Sequence, residues 1–71
     1  MAINRFLTIE RLMEKAASYE SRAVEIGPPN NGLHMTLALT LYDIASDIEA
    51  FDDEEEIERL YGRTGYVIPV I

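Results

Sequence analysis

Apolar and small side chains near the start of the chain fall at Ile9, Leu12, Ala16, Tyr19, Ala23 and Ile26, at intervals of three, four, three, four and three. That spacing is one face of a helix, widened by Met13, and it predicts a helix over 8–26. Thr8 stands where an N-cap would, although Arg11 occupies the position at which a capping box carries Glu. Arg11 with Glu14 and Arg22 with Glu25 can pair on the outer face, each worth a few tenths of a kcal/mol. The run Gly27-Pro28-Pro29-Asn30-Asn31-Gly32 stops the helix. Gly27 can take the left-handed C-terminal position, the prolines cannot continue a helix, and Asn30 or Asn31 can cap the next element. A turn over 27–32 returns the chain antiparallel.

The next stretch carries two patterns at once. Leu33, Met35, Leu37, Leu39 and Leu41 alternate, with Thr36 and Thr40 between them, as in a strand. His34, Leu37, Leu41, Ile44, Ile48 and Phe51 keep a heptad spacing beyond ordinary strand length, and Ala38, Ala45 and Ala50 favour a helix. A helix over 33–51 accounts for more of the stretch, with the strand as the alternative for 33–41. Its apolar surface is broad, because Met35, Ala38, Tyr42 and Ala45 form a second row and Leu33 and Leu39 lie further round. The first helix, mostly Ala along the middle of its seam, cannot cover all of it.

Asp52 or Asp53 can cap a short acidic helix over 53–61, with Glu54, Glu55 and Glu56 in its first turn, Ile57, Leu60 and Tyr61 on its apolar side and Gly62 at its end. Asp53 with Glu56 fits a capping box in role. The alternative runs the second helix straight through the acids. The tail 63–71 is extended and apolar, and Pro69 limits it to an edge strand or a docked segment on its own hairpin or a neighbouring subunit. The pattern therefore predicts one all-α domain over 1–71: a two-helix antiparallel hairpin, a short third helix and an extended C-terminal tail, assembled as a homo-oligomer.

Charge changes this picture by its distribution. Residues 1–42 balance Arg5, Arg11, Lys15 and Arg22 against Glu10, Glu14, Glu20 and Glu25, whereas 43–58 hold Asp43, Asp47, Glu49, Asp52, Asp53, Glu54, Glu55, Glu56 and Glu58 with no base. With Arg59 and Arg63 the net charge is −7, all of it from that one stretch. Such a block repels phosphate, so direct DNA or RNA binding is not expected; a basic protein surface is the natural complement. The chain has 71 residues and no cysteine, which removes disulfides, thiolate–zinc sites and thiol nucleophiles together. Chains this short have marginal cores, and self-association is the remaining reinforcement. The first residues lack a secretory signal, and no window approaches the roughly 20 apolar residues of a membrane span, so a cytoplasmic location is expected.

Candidate chemistry is sparse. His34 is the single histidine, without an HExxH or ExxH pattern, and Ser18, Ser21 and Ser46 lack a nucleophile-elbow context. Gly62-Arg63-Thr64-Gly65 matches neither phosphate-binding glycine pattern and reads as a turn, although Arg59 and Arg63 could grip a phosphate or carboxylate across a subunit boundary. The acids lack the glycine and alternation of a calcium loop. Neither catalytic residues, a metal nor a cofactor is therefore expected. The candidate partner-binding acids are Asp43, Asp47, Asp52, Asp53, Glu54, Glu55, Glu56 and Glu58. Met35, Leu39, Tyr42, Phe51, Tyr66, Val67 and Ile68 are the candidate apolar face for an oligomer or partner, tyrosine being common where one end of a side chain stays wet.

Leu37-Ala38-Leu39-Thr40, followed by Asp43 and Ala45, resembles the second helix of a phage family of helical hairpins, the anti-CBASS and anti-Thoeris nucleotide sponges. The resemblance spans about residues 9–51, including the turn at Pro28-Pro29. Leu33-His34 stands where that family has a charged pair, and no Trp-Ala follows. The resemblance implies an oligomer sequestering a cyclic nucleotide immune signal without cleaving it. Composition points first to a non-enzymatic, phage-type anti-defence inhibitor or adaptor that blocks a basic surface of a host protein. A purely structural oligomerisation element is the third reading.

Overall fold

The computed structural model describes residues 3–70; Met1, Ala2 and the last residue of the expected tail, Ile71, lie outside the described residues. Two long helices, α1 (Arg5–Ile26) and α2 (Gly32–Ala50), form the hairpin, followed by α3 (Glu54–Tyr61) and a single 3-10 turn over Gly62–Thr64. Arg5 of α1 reaches Ile48 of α2, and Tyr19 meets His34, so the helices run antiparallel. The molecule measures 42 × 19 × 18 Å.

Helix α1 begins three residues earlier than the pattern predicts. Asn4 is the N-cap, its side-chain oxygen accepting from the Leu7 amide at 3.0 Å. Thr8, the expected cap, is instead fully buried within the first turns. Gly27 closes the helix as expected, at φ 73°, with its amide donating to the Ala23 carbonyl. The strand alternative for 33–41 is not realised. Asn31 precedes α2 without a side-chain cap; its side-chain Nδ2 instead donates back to the Ala23 carbonyl at 3.3 Å and fastens the turn.

The seam between the long helices is built from small residues. Leu12, Ala16 and Ala23 of α1 are buried against Ala38, Leu41, Ala45 and Ile48 of α2. Alanine lets the backbones approach, so α2 turns its Ala38–Ala45 row inward. Leu37 and Ile44, expected at the centre of the seam, are displaced to its edge, where they stay half-buried. Ile26 ends up exposed.

Helix α2 ends before the acidic run. Phe51 is extended, and Asp53 caps α3 by accepting from the Glu55 amide at 2.9 Å. The expected capping box is incomplete, because Glu56 pairs forward with Arg59 at 2.5 Å. Ile57 is wholly buried and docks α3 onto the core that contains Ile3, Leu12, Leu41 and Ile48. Gly62 ends α3 as expected, as its C-cap, with helical angles that lead into the 3-10 turn; the left-handed position falls at Gly65, φ 83°, after that turn.

The tail then docks on its own hairpin. The Asn4 amide donates to the Ile68 carbonyl at 2.8 Å, the Ile68 amide donates to the Thr8 hydroxyl at 2.9 Å, and Ile3 pairs antiparallel with Pro69. Thr8 is therefore a latch for the tail. Replacing Thr8 by Val keeps its shape and leaves the Ile68 amide without its acceptor, at a cost of about 1–3 kcal/mol. Faster hydrogen exchange at Ile68 and a lower denaturant midpoint are the expected readouts; unchanged exchange there would mean that Thr8 does not hold the tail.

Candidate functional site

The stretch 43–58 spans the second half of α2, the break and the first turns of α3, so its carboxylates meet different surroundings. Asp47 accepts a hydrogen bond from the Tyr61 hydroxyl at 2.6 Å, tying α3 to α2. Asp53 is the cap of α3. Glu54 accepts from the Ile3 amide at 3.1 Å and lies 3.6 Å from the Arg5 guanidinium. Glu56 holds Arg59. Those four candidate acids are occupied in holding the fold. Asp43, Glu49, Asp52 and Glu55 are exposed and Glu58 is half-buried, and among the described residues none of these five side chains has an ion-pair or hydrogen-bond partner. Asp52 contributes only its backbone carbonyl, which accepts from Arg5 at 3.0 Å.

The Asp47–Tyr61 contact has a pH signature. The hydrogen bond to Asp47, burial and the nearby carboxylate charge, in that order, push the Tyr61 phenol above its ordinary value of 10.0. A proton held more tightly in the folded chain stabilises it fully below pH 10, and that contribution is lost as pH rises through the folded value. Tyr61→Phe should lower stability at neutral pH by about 1 kcal/mol, the net worth of such a bond. The variant should also lose less stability than the parent between pH 9 and 11 in alkaline denaturation, an interval set around the ordinary tyrosine value. Equal alkaline sensitivity in the two proteins would count against this assignment.

The candidate apolar face divides. Met35 and Leu39 are exposed on α2. Tyr42, Phe51, Tyr66 and Val67 pack around the chain's own core, and Ile68 is held by its backbone against Asn4 and Thr8. Of the two expected berths for the tail, its own hairpin or a neighbouring subunit, the hairpin is the one taken, with the Thr8 hydroxyl as the anchor.

Two features were not singled out from the sequence. Arg5 donates to the carbonyls of Ile48 (3.3 Å), Phe51 and Asp52 (3.0 Å). On the flank of α1 that meets the tail, Arg11, Lys15 and Arg22 recur at intervals of four and seven. They line two adjoining depressions of about 490 and 450 Å³ that share Ser18. One contains Ser21, Arg22 and His34, the other Arg11, Lys15, Thr64 and Tyr66. The signal available for this flank was the helical spacing of the bases, which charge totals conceal. Lys15 lies 5.5 Å from the Tyr19 ring centre, and Tyr19 meets His34 at 6.2 Å between centroids. Ser18 and Ser21 share a depression with His34, but no hydrogen bond joins a described serine to it, and Glu25 there faces Arg22 at 3.4 Å. Among the described residues no three metal-ligating side chains converge.

No protein-family model matches the chain, and neither a curated protein nor a solved structure shows significant similarity to it. Among the described residues no helix is long and apolar enough to cross a membrane.

Proposed function

We propose that this chain is a small non-enzymatic binding protein that docks on a basic surface of a partner protein, acting as an inhibitor or adaptor of the kind phages direct at host defences. The observation that carries the reading is the set of carboxylates left over after the fold has used its own: Asp43, Glu49, Asp52, Glu55 and Glu58. Charges without internal partners keep their long-range field and can steer encounter with a cationic surface, while neighbouring apolar groups supply affinity.

The test is affinity capture from the native host with the parent chain and with Asp43→Asn/Asp52→Asn/Glu55→Gln/Glu58→Gln, which spares the acids engaged in the fold. The parent should retain a discrete basic protein that the variant loses and that about 0.5 M salt releases. Equal retention by both would rule this mode out.

A second reading comes from the flank of α1. Arg11, Lys15, Ser18, Thr64 and Tyr66 surround one depression with two cations, hydroxyls and an aromatic ring, beside a single carboxylate, Glu14. That chemistry suits an anionic nucleotide, and a sponge for a cyclic nucleotide signal would use it. Under this reading cyclic nucleotides raise the Tm of the free chain; a flat response across a panel of them removes it.

A further inference from the structure

The hairpin has two broad faces, and α3 and the tail occupy one of them. On α1, Arg11 and Lys15 border the depression that includes Thr64 and Tyr66 of the tail; on α2, Asp47 bonds Tyr61 of α3. Across the buried seam from those residues, each long helix carries a further apolar line. On α1 it runs through Phe6, Met13, Ala17 and Val24, about half a turn from Arg11, Lys15 and Arg22. On α2 it runs through Met35, Leu39 and Tyr42. Both lines border the face that α3 and the tail leave open. Phe6 is 74% exposed, Val24 76% and Leu39 58%, with Met13 and Met35 exposed beside them. An alanine-lined seam holds the two helices close, so this face is a shallow two-helix groove edged by long apolar side chains.

The charges around the groove have one sign. Glu10 and Glu20 flank the α1 line and Glu49 flanks the α2 line; α2 contains neither Lys nor Arg, and Arg11, Lys15 and Arg22 lie on the opposite flank of α1. Arg5 is spent on the carbonyls at the end of α2. A second copy of the chain is a poor occupant, because a two-fold pair sets a patch against itself and brings carboxylates to carboxylates. A groove between two packed helices takes the ridge of a third.

We propose that the open face of α1 and α2 docks an amphipathic helix of a partner protein, one whose apolar stripe is edged by Lys or Arg. The proposal rests on the binding-protein reading but shares only Glu49 with the carboxylates of 43–58 and does not use Asp43, Asp52, Glu55 or Glu58, so the two can fail separately. Aliphatic and aromatic groups of the groove bury the stripe, and Glu10, Glu20 and Glu49 meet the cationic edges.

The probe is a synthetic peptide of about five helical turns with leucines at i, i+3, i+4 and i+7 and lysines beside them, against a scrambled peptide of the same composition. Binding to the full chain is read by fluorescence anisotropy and by amide shift mapping. The patterned peptide should bind at least tenfold more tightly than the scrambled one and shift amides around Phe6, Met13, Val24, Met35 and Leu39. Val24→Asp/Leu39→Asp, at positions exposed enough to leave the fold intact, should weaken it at least tenfold. Glu10→Gln/Glu20→Gln/Glu49→Gln should weaken it several-fold and flatten its salt dependence. The quadruple variant at Asp43, Asp52, Glu55 and Glu58 should bind the peptide as the parent does. Shifts confined to 43–58, or affinity unmoved by Val24→Asp/Leu39→Asp, overturn the proposal while leaving the acidic-segment reading standing. No preference for the patterned peptide overturns it too. A dimer of the free chain in sedimentation, dissolved by Val24→Asp/Leu39→Asp, would assign the face to a second copy instead.

Discussion

Replacing Arg5 by Met will lower the stability of the folded chain by about 2–4 kcal/mol, because several hydrogen bonds from a charged donor disappear at once. In a domain of this size that is a fall in Tm of roughly 10–25 °C. Total stabilities run at about 0.05–0.15 kcal/mol per residue, so the loss is a large fraction of what 71 residues hold. The reason lies at the end of α2. A helix leaves its last carbonyls without internal partners and carries partial negative charge there. Helix α2 has no base in its own last turn. Arg5 supplies one from the start of α1, its planar fork serving the carbonyls of Ile48, Phe51 and Asp52 while its remaining nitrogen faces Glu54.

Methionine keeps much of the apolar stem and removes all the donors, so the variant isolates the guanidinium from side-chain packing. Arg5→Lys should recover only part of the loss, since a single ammonium cannot span three carbonyls in that geometry. Thermal unfolding followed by circular dichroism measures all three proteins. Equal Tm values for the parent and Arg5→Met would mean that water satisfies those carbonyls equally well, and the cap assigned to Arg5 would have no energetic content.

Arg5 also marks the limit of what the sequence discloses. Its partners are backbone carbonyls 43 to 47 positions away, and backbone acceptors have no residue signature. The helices themselves were legible, because apolar spacing and the Gly27–Gly32 stop are local. The cap of α3 was legible for the same reason, Asp53 bonding only two residues ahead. The start of α1 was misplaced because Asn4 and Thr8 are both chemically able to cap; Thr8 is taken by the tail, a contact across 60 positions. The inward row of α2 was misjudged because hydrophobicity favoured Leu37 and Ile44, whereas close approach of two helices favoured Ala38 and Ala45. The acidic stretch was visible as charge. Its division into carboxylates that hold the fold and carboxylates that remain free depended on where Arg5, Tyr61 and the Ile3 amide came to rest.

That division gives α3 a dependence that a single substitution can expose. Eight residues are too few for a helix to persist alone in water, where about 12–15 is already marginal. Three glutamates in its first turn and Asp53 at its cap help, but exposed electrostatics of this kind contribute about 0.3–1 kcal/mol each and are screened by salt. Ile57 is the one fully buried side chain of α3, and it meets a core drawn from Ile3, α1 and α2. Ile57→Ala should therefore remove about 2–5 kcal/mol, the range for deleting buried aliphatic groups with partial collapse of the cavity. The loss will not be uniform. Leu12, Ala16, Leu41, Ala45 and Ile48 still pack against one another without Ile57, so the hairpin retains most of its contacts while α3 loses its one fully buried anchor and keeps only the half-buried Tyr61. Amides of 57–61 should then exchange near unfolded rates, and the Ile68 amide should loosen with them because the tail follows α3 onto the start of α1. Amides near Leu12 and Leu41 should remain protected at a reduced level. Uniform loss of protection in all three helices would instead make the chain one cooperative unit, in which the acidic helix cannot be released without unfolding the hairpin that presents it.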